Sequence, residues 1–222
     1  MATKKTKTAA VEEITIPAID IRTMKIKIVG DTPLIMHKWD EKAKQMILDK
    51  EMGKAKNKGH DIKSPIADFI HSVYWMEGEP DLTKCKTEED KQAAFETAIK
   101  KGARFGFPTC AFKASAVAAG FRSGVSKNKV SLNGAFHIDT ELTEIHGVPD
   151  IREDMVRVGM GAADIRYRGE FKKWWAELEV KYNAGTITAE QVVNLFSLGG
   201  FACGIGEWRA EKGGINGAYH VE

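Results

Sequence analysis

Ile187-Thr188-Ala189-Glu190-Gln191-Val192-Val193-Asn194-Leu195-Phe196 opens the stretch that decides the fold, and Ala218-Tyr219-His220-Val221 closes it. Thr188 and Gln191 stand three apart, the spacing of a capping box at a helix start. Val192, Val193, Phe196 and Gly200 follow helical spacing and give that helix one apolar face. Glycines then arrive at 199, 200, 204, 206, 213, 214 and 217, and a short strand ends the stretch. The unit is helix, glycine-rich loop, strand. Glycine permits positive φ and close approach of backbone to another surface. Interleaved with Glu207, Trp208, Arg209 and Lys212, these glycines suggest a loop that touches something extended, with a nucleic-acid backbone as the leading candidate. A mobile surface loop is the competing explanation, because a glycine-rich segment is compositional evidence only.

Strands and helices upstream supply the rest of the plan. In Ile19–Val29, Met24, Ile26 and Ile28 alternate with Thr23, Lys25 and Lys27, the period of a strand with one buried face. Trp174–Tyr182 alternates likewise, with Ala176, Leu178, Val180 and Tyr182 against Trp175, Glu177, Glu179 and Lys181, so Trp174 and Trp175 face opposite ways. Residues 34–104 read as a helical insertion: a helix over 39–52, a second after Ser64-Pro65 running through Phe69, Ile70, Val73 and Tyr74, and a third over 88–101. The lysine-rich loop between the first two carries Lys54, Lys56, Lys58 and Lys63. Thr109 is placed to cap a helix whose apolar stripe is Cys110, Ala114, Val117 and Phe121. A strand or hairpin is expected over 130–145, and a hairpin over 151–158 and 165–168 joined by Gly159-Met160-Gly161. With insertion and hairpin set aside, βαββαβ remains, the ferredoxin-like split βαβ plan within an α+β fold. Residues 1–18 read as a flexible basic arm with Lys4, Lys5 and Lys7, and 19–222 as a single domain.

Composition narrows the classes. The chain has 222 residues, 43% hydrophobic and 29% charged, which fits an ordinary globular protein. A net charge of +2 neither demands nor excludes nucleic acid, since a local basic patch matters more than the sum. Cys85, Cys110 and Cys203 are far apart with no Cys-x-x-Cys, which suggests neither zinc nor a disulfide framework and points to a reducing cytoplasm. No apolar run approaches the ~20 residues of a membrane span.

Gly106-Phe107-Pro108-Thr109-Cys110-Ala111-Phe112-Lys113-Ala114 resembles the strand-to-helix turn of the RAMP superfamily, and Arg122 falls near the basic residue often found later in that helix. Leu198-Gly199-Gly200, Gly204-Ile205-Gly206-Glu207-Trp208-Arg209 and Gly214-Ile215-Asn216-Gly217-Ala218-Tyr219 resemble that superfamily's C-terminal glycine-rich loop in kind and position, with Glu207-Trp208 departing from the usual pattern. The specific match covers about a quarter of the residues. The chain is also similar to bacteriophage proteins with a Gly-Asp-Thr-Pro-Leu-Ile start and a Gly-x-Gly-Glu-Trp-Arg end. RAMP proteins are RRM-like and include guide-binding backbone and processing subunits of CRISPR effector complexes. The resemblance implies single-stranded RNA or DNA as partner, protomers stacked along the strand as a homo-oligomer, and no cofactor, with a bacterial host cytoplasm as location if phage-encoded.

On that basis the nucleic-acid-binding candidates are Lys113, Arg122, Arg166, Arg168, Lys172, Trp175, Arg209 and Lys212. Lys113 at a helix start suits a phosphate, or is an exposed helix lysine. Arg166, Tyr167, Arg168, Lys172 and Lys173 beside Trp174 and Trp175 interleave cations with rings, the general mode of single-strand binding. Lys25 and Lys27 lie on the open sheet face, where Glu177 and Glu179 are expected to form cross-strand ion pairs with them. P-loop, dinucleotide and Gly-x-Ser-x-Gly signatures are missing, and the histidines do not fall at metal-ligand spacing. Asp150, Glu153 and Asp154 read as a surface charge run. Two alternatives stay open: a metal-independent RAMP-type endoribonuclease using His37 beside Lys38, and a structural phage assembly subunit without nucleic acid.

Overall fold

The computed structural model describes residues 18–39, 41–53, 63–158 and 162–222. The expected arm, apart from Ala18, and most of the lysine-rich loop and the Gly159-Met160-Gly161 turn lie outside the described residues. In chain order the elements are β1 (Ile21–Gly30), β2 (Leu34–Met36), α1 (Glu41–Glu51), α2 (Pro65–Ser72), β3 (Tyr74–Glu77), α3 (Glu88–Lys100), β4 (Arg104–Pro108), α4 (Thr109–Arg122), α5 (Lys129–Ala135), β5 (Phe136–His137), β6 (Leu142–Ile145), β7 (Asp150–Val158), β8 (Ala162–Phe171), β9 (Trp175–Asn183), α6 (Ala189–Ala202) and β10 (Tyr219–Val221). The fold is α+β with three antiparallel sheets, in strand order β10-β1-β9-β5, β2-β8-β7 and β3-β4-β6.

The first sheet organises the molecule. β1 lies between β10 and β9, with Ile28 opposite both Val221 and Ala176. Its alternation works as expected: Ile26, Ile28, Leu178 and Val180 are buried, and Lys25, Lys27, Glu177 and Glu179 are exposed. The buried face joins one hydrophobic cluster with Phe112 and Val117 of α4 and Val192 and Phe196 of α6. Phe136 meets Phe196 edge-on at 5.6 Å. Full burial of a ring or aliphatic side chain of this size stabilises by about 2–3 kcal/mol. α6 starts at the expected capping box: Thr188 Oγ1 accepts from the Gln191 amide at 3.2 Å, and Gln191 Oε1 accepts from the Thr188 amide at 3.0 Å.

Four local expectations are corrected. Residues 34–104 are not purely helical. β2 joins the β7–β8 hairpin, and the second helix stops at Ser72 because the aromatic Tyr74-Trp75 pair leaves it for β3, which pairs with β4. Thr109 is the first residue of α4 rather than its cap; its hydroxyl instead meets Thr143 Oγ1 at 2.8 Å. The buried face of α4 is Phe112, Ser115, Ala116, Val117, Ala119 and Gly120, and Cys110, Ala114 and Phe121 are exposed. Residues 129–135 form α5, whose cap is Asn128, accepting from the Val130 amide at 2.9 Å; only then come β5 and β6, which pair with different partners. The hairpin of β7 and β8 is present and longer than expected.

Candidate nucleic-acid interface

The glycine-rich loop is held against its own chain. Gly206 and Gly217 have φ of +79° and +68°, a region open to glycine at no steric cost. A Cβ on Gly217 would collide with Ile205 O, one on Gly214 with Trp208 O, and one on Gly200 with Tyr219 O. The Glu207 amide donates to Ile35 O at 3.0 Å and the Gly217 amide to Pro33 O at 2.8 Å, so the loop is stitched to β2. The close approaches that glycine permits are therefore made to protein backbone. Trp208 sits at φ 52°, rare for an aromatic residue, and is 46% exposed.

Arg209 of the loop and Arg122 of α4 share one carboxylate. Arg209 Nε and Nη2 donate to Glu211 Oε2 at 3.0 and 2.9 Å, Arg209 Nη1 donates to Gly206 O at 3.1 Å, and Arg122 Nη2 donates to Glu211 Oε1 at 2.6 Å. Arg209, then Arg122, hold the Glu211 carboxyl below its ordinary range against the upward push of burial. Burial pushes the neighbouring Cys203 thiol up. Lys212 is exposed on the short turn Ala210–Lys212. Lys113 also points inward: Nζ donates to Asn133 O at 2.7 Å, lies 3.3 Å from His137 Nδ1 and sits 5.6 Å from the Phe136 ring centre. Burial pushes its ammonium pKa down.

Between this loop, β2 and α4 lies a cavity of about 310 Å³ lined by His37, Tyr74, Lys129, Glu207 and Arg209. The His37 ring is half-buried and has no hydrogen-bond partner among the described residues. Burial pushes its pKa down, and the Arg168 charge adds to that. Burial pushes the Tyr74 phenol up, with the Cys110 and Glu207 charges adding. Arg168 is 4% exposed; Nη1 donates to Asp154 at 2.9 Å. Arg166 lies 3.6 Å from Asp164. Asp154 also receives Arg152, so the acidic run at 150–154 is engaged by cations.

The sheet face opposite α4 and α6 carries a second groove. Lys25 stands opposite Glu179 and Lys27 opposite Glu177 in register, but the expected cross-strand ion pairs are not formed among the described residues, and Lys27 turns to Glu222 instead. At one end the Trp175 ring, 37% exposed, stacks on His146 at 3.7 Å and 13°, and Lys27 Nζ lies 5.6 Å from its centre. Trp174, facing inward, is 3% exposed and donates to Thr32 O at 2.9 Å. Lys172, Lys173 and His220 complete a groove of about 780 Å³ with Asp31 and Glu222. Lys172 pairs with Asp150 at 2.8 Å, Lys27 with Glu222, and His220 Nδ1 lies 2.6 Å from Asp31. Lys173 is exposed with no side-chain partner among the described residues.

The structure thus gathers Trp175 and Lys172 in one groove, brings Arg122 and Arg209 together on Glu211, and places Lys113, Arg166 and Arg168 apart from both. His146 and His220 were missed by sequence reasoning. His146 reaches Trp175 through an isolated bridge between residues 29 positions apart, and no local pattern announces it. No protein-family model matches the chain, and no curated protein matches it significantly. Among the described residues no group of three or more His, Cys, Asp or Glu could hold a metal, and no helix is long and apolar enough to cross a membrane.

Proposed function

We propose that this chain is a non-enzymatic single-stranded nucleic-acid-binding protein that assembles along the strand, built on a ferredoxin-like, RAMP-type core. The order β10-β1-β9-β5 supports the core: with α4 and α6 as the two crossovers, it is the 4-1-3-2 order of a split βαβ sheet. The observation that carries the function is the Trp175 groove. A stacked Trp175–His146 pair there stands among Lys27, Lys172 and Lys173. Bases stack on rings of any sequence, and lysines neutralise the backbone. The ion pairs of Lys27 and Lys172 are solvent-exposed, and such pairs contribute little, so phosphates exchange for the carboxylates at small cost. The test is fluorescence anisotropy with labelled single-stranded RNA, single-stranded DNA and duplex at two salt concentrations. Binding of a single strand that weakens steeply with salt and is lost in Trp175→Ala is expected. Equal affinity of wild type and Trp175→Ala, or no binding at low salt, overturns the proposal.

A second function rests on His37. A half-buried imidazole whose pKa burial pushes down, without a hydrogen-bond partner among the described residues, shares its cavity with Tyr74 and Glu207. That is the equipment of general acid–base chemistry. Cleavage of labelled RNA in EDTA that disappears in His37→Ala identifies an endoribonuclease; intact RNA with the wild type removes this alternative.

A further inference from the structure

His37 also forms the wall of a different cavity, on the far side from the glycine-rich loop. This pocket of about 200 Å³ lies between the end of β2, α2 and β8. Lys38, Lys63 and Arg166 enter its lining from three separate parts of the chain, joined by His37 and His71. Lys38 is half-buried, and its ammonium has no partner among the described residues. Lys63 and Arg166 both lean on Asp164, which serves them as a shared internal counter-ion. Asp68 is the other carboxylate in the lining, and His71 lies 3.8 Å from Glu79 outside it. On β8 next to this lining, the Arg168 side chain is 5% exposed and paired with Asp154, and its Nε is the one buried side-chain donor or acceptor without a partner among the described residues. Buried donors are nearly always satisfied. The lining thus sets three cations, Lys38, Lys63 and Arg166, against two carboxylates, Asp68 and Asp164, and the Lys38 ammonium has no partner among the described residues.

We propose that this pocket binds a phosphate-class oxyanion, with Lys38, Lys63 and Arg166 as its donors and His37 as a further donor once protonated. A tetrahedral oxyanion offers acceptors in several directions, which suits donors that converge from three elements, and charge-assisted hydrogen bonds of this kind are the strong ones. The phosphate is the terminal group of a nucleic-acid strand or a free phosphate. Trp39, next to Lys38 and 65% exposed, favours the former by offering a ring to the attached base. Lys172 of the Trp175 groove is six residues beyond Arg166, about 20 Å along an extended strand at ~3.3 Å per residue. A single strand long enough to span that distance can engage both.

Calorimetry with inorganic phosphate reads the pocket directly, and anisotropy with 5′-phosphorylated and 5′-hydroxyl oligonucleotides reads the source. Phosphate affinity is expected to fall about tenfold or more in Lys38→Ala and in Arg166→Gln. It is expected to rise severalfold in Asp164→Asn, where the competing carboxylate is gone, and a misfolded variant cannot produce that gain. The His37 imidazole, followed by NMR, is expected to titrate at higher pH when phosphate is present, against the charges of Arg168, Arg166, Lys38, Lys63 and His71 and with Glu207, Asp68 and Asp164. Tighter binding of the 5′-phosphorylated strand assigns the site to a strand end. Equal binding of the two strands with phosphate still bound assigns it to free phosphate. Trp175→Ala leaves phosphate binding intact, so failure of the groove and failure of the pocket are separable. No phosphate binding at about 10 mM, or no gain in Asp164→Asn, overturns the proposal.

Discussion

The glycine-rich loop and the Trp175 groove both carry cations and a tryptophan, yet they use them differently. In the loop, Arg209 and Arg122 end on the two oxygens of Glu211, four-fifths buried, and Arg209 also holds a backbone carbonyl. In the groove, Lys27 and Lys172 meet carboxylates more than half exposed, and Lys173 meets none among the described residues. A cation is available to a ligand when its own partner is solvated and exchangeable. Its presence in a suggestive stretch of sequence says little.

The largest effects expected from this contrast are on the loop's packing. Gly217→Ala and Gly200→Ala place a methyl group on backbone oxygen and are expected to cost roughly 3 kcal/mol or more. Gly213→Ala, at φ +78° with open space around it, is expected to cost about 1–2 kcal/mol. Urea denaturation ranks the three, and equal costs would erase the picture of a loop sewn to its own chain. Trp175→Ala is next: about 1–3 kcal/mol of single-strand affinity, at nearly unchanged stability. Arg209→Ala is expected to do the reverse, lowering stability by about 1–2 kcal/mol and leaving the salt slope of binding alone. If Arg209→Ala flattens that slope by about one and Lys173→Ala does not, loop and groove exchange roles.

A smaller effect concerns pH. Burial pushes the Glu88 carboxyl up, but Lys91, the Ser64 hydroxyl and the Ile66 amide outweigh it and hold it at about 2. A depressed folded-state pKa means stability that is present above the ordinary carboxylate range and lost as pH falls through it toward about 2. In Glu88→Gln this acid-dependent part is expected to shrink between pH 5 and pH 2, read from denaturation midpoints against the wild type. Smallest is Lys25→Ala, expected to change stability by no more than about 0.5 kcal/mol, since its cross-strand neighbour Glu179 is equally exposed.

Strong periodicity was legible. β1, β9, α6 with its capping box, the β7–β8 hairpin and the last strand all follow from alternation or helical spacing. Where the pattern is flat, tertiary context decided. α4 is so rich in alanine that hydrophobic spacing does not distinguish its faces, and the stripe through Cys110 and Phe121 fell on the wrong side. Val130-Ser131-Leu132-Asn133 has modest helix propensity, but the Asn128 cap and the packing of Leu132 turn it into α5. β2 is three residues long, too short to show a period. In the candidate site, Trp175 was legible from alternation alone, whereas His146, Tyr74 and Lys38 reach their cavities through contacts that only the folded chain makes.

β1 has β9 along one edge and residues 219–221, far later in the chain, along the other. During synthesis that second edge stays unpaired until β10 has emerged. A chaperone that recognises bare strands therefore has a long window in which to act, and removing Tyr219–Val221 is expected to turn β1 into an exposed edge strand that recruits strangers.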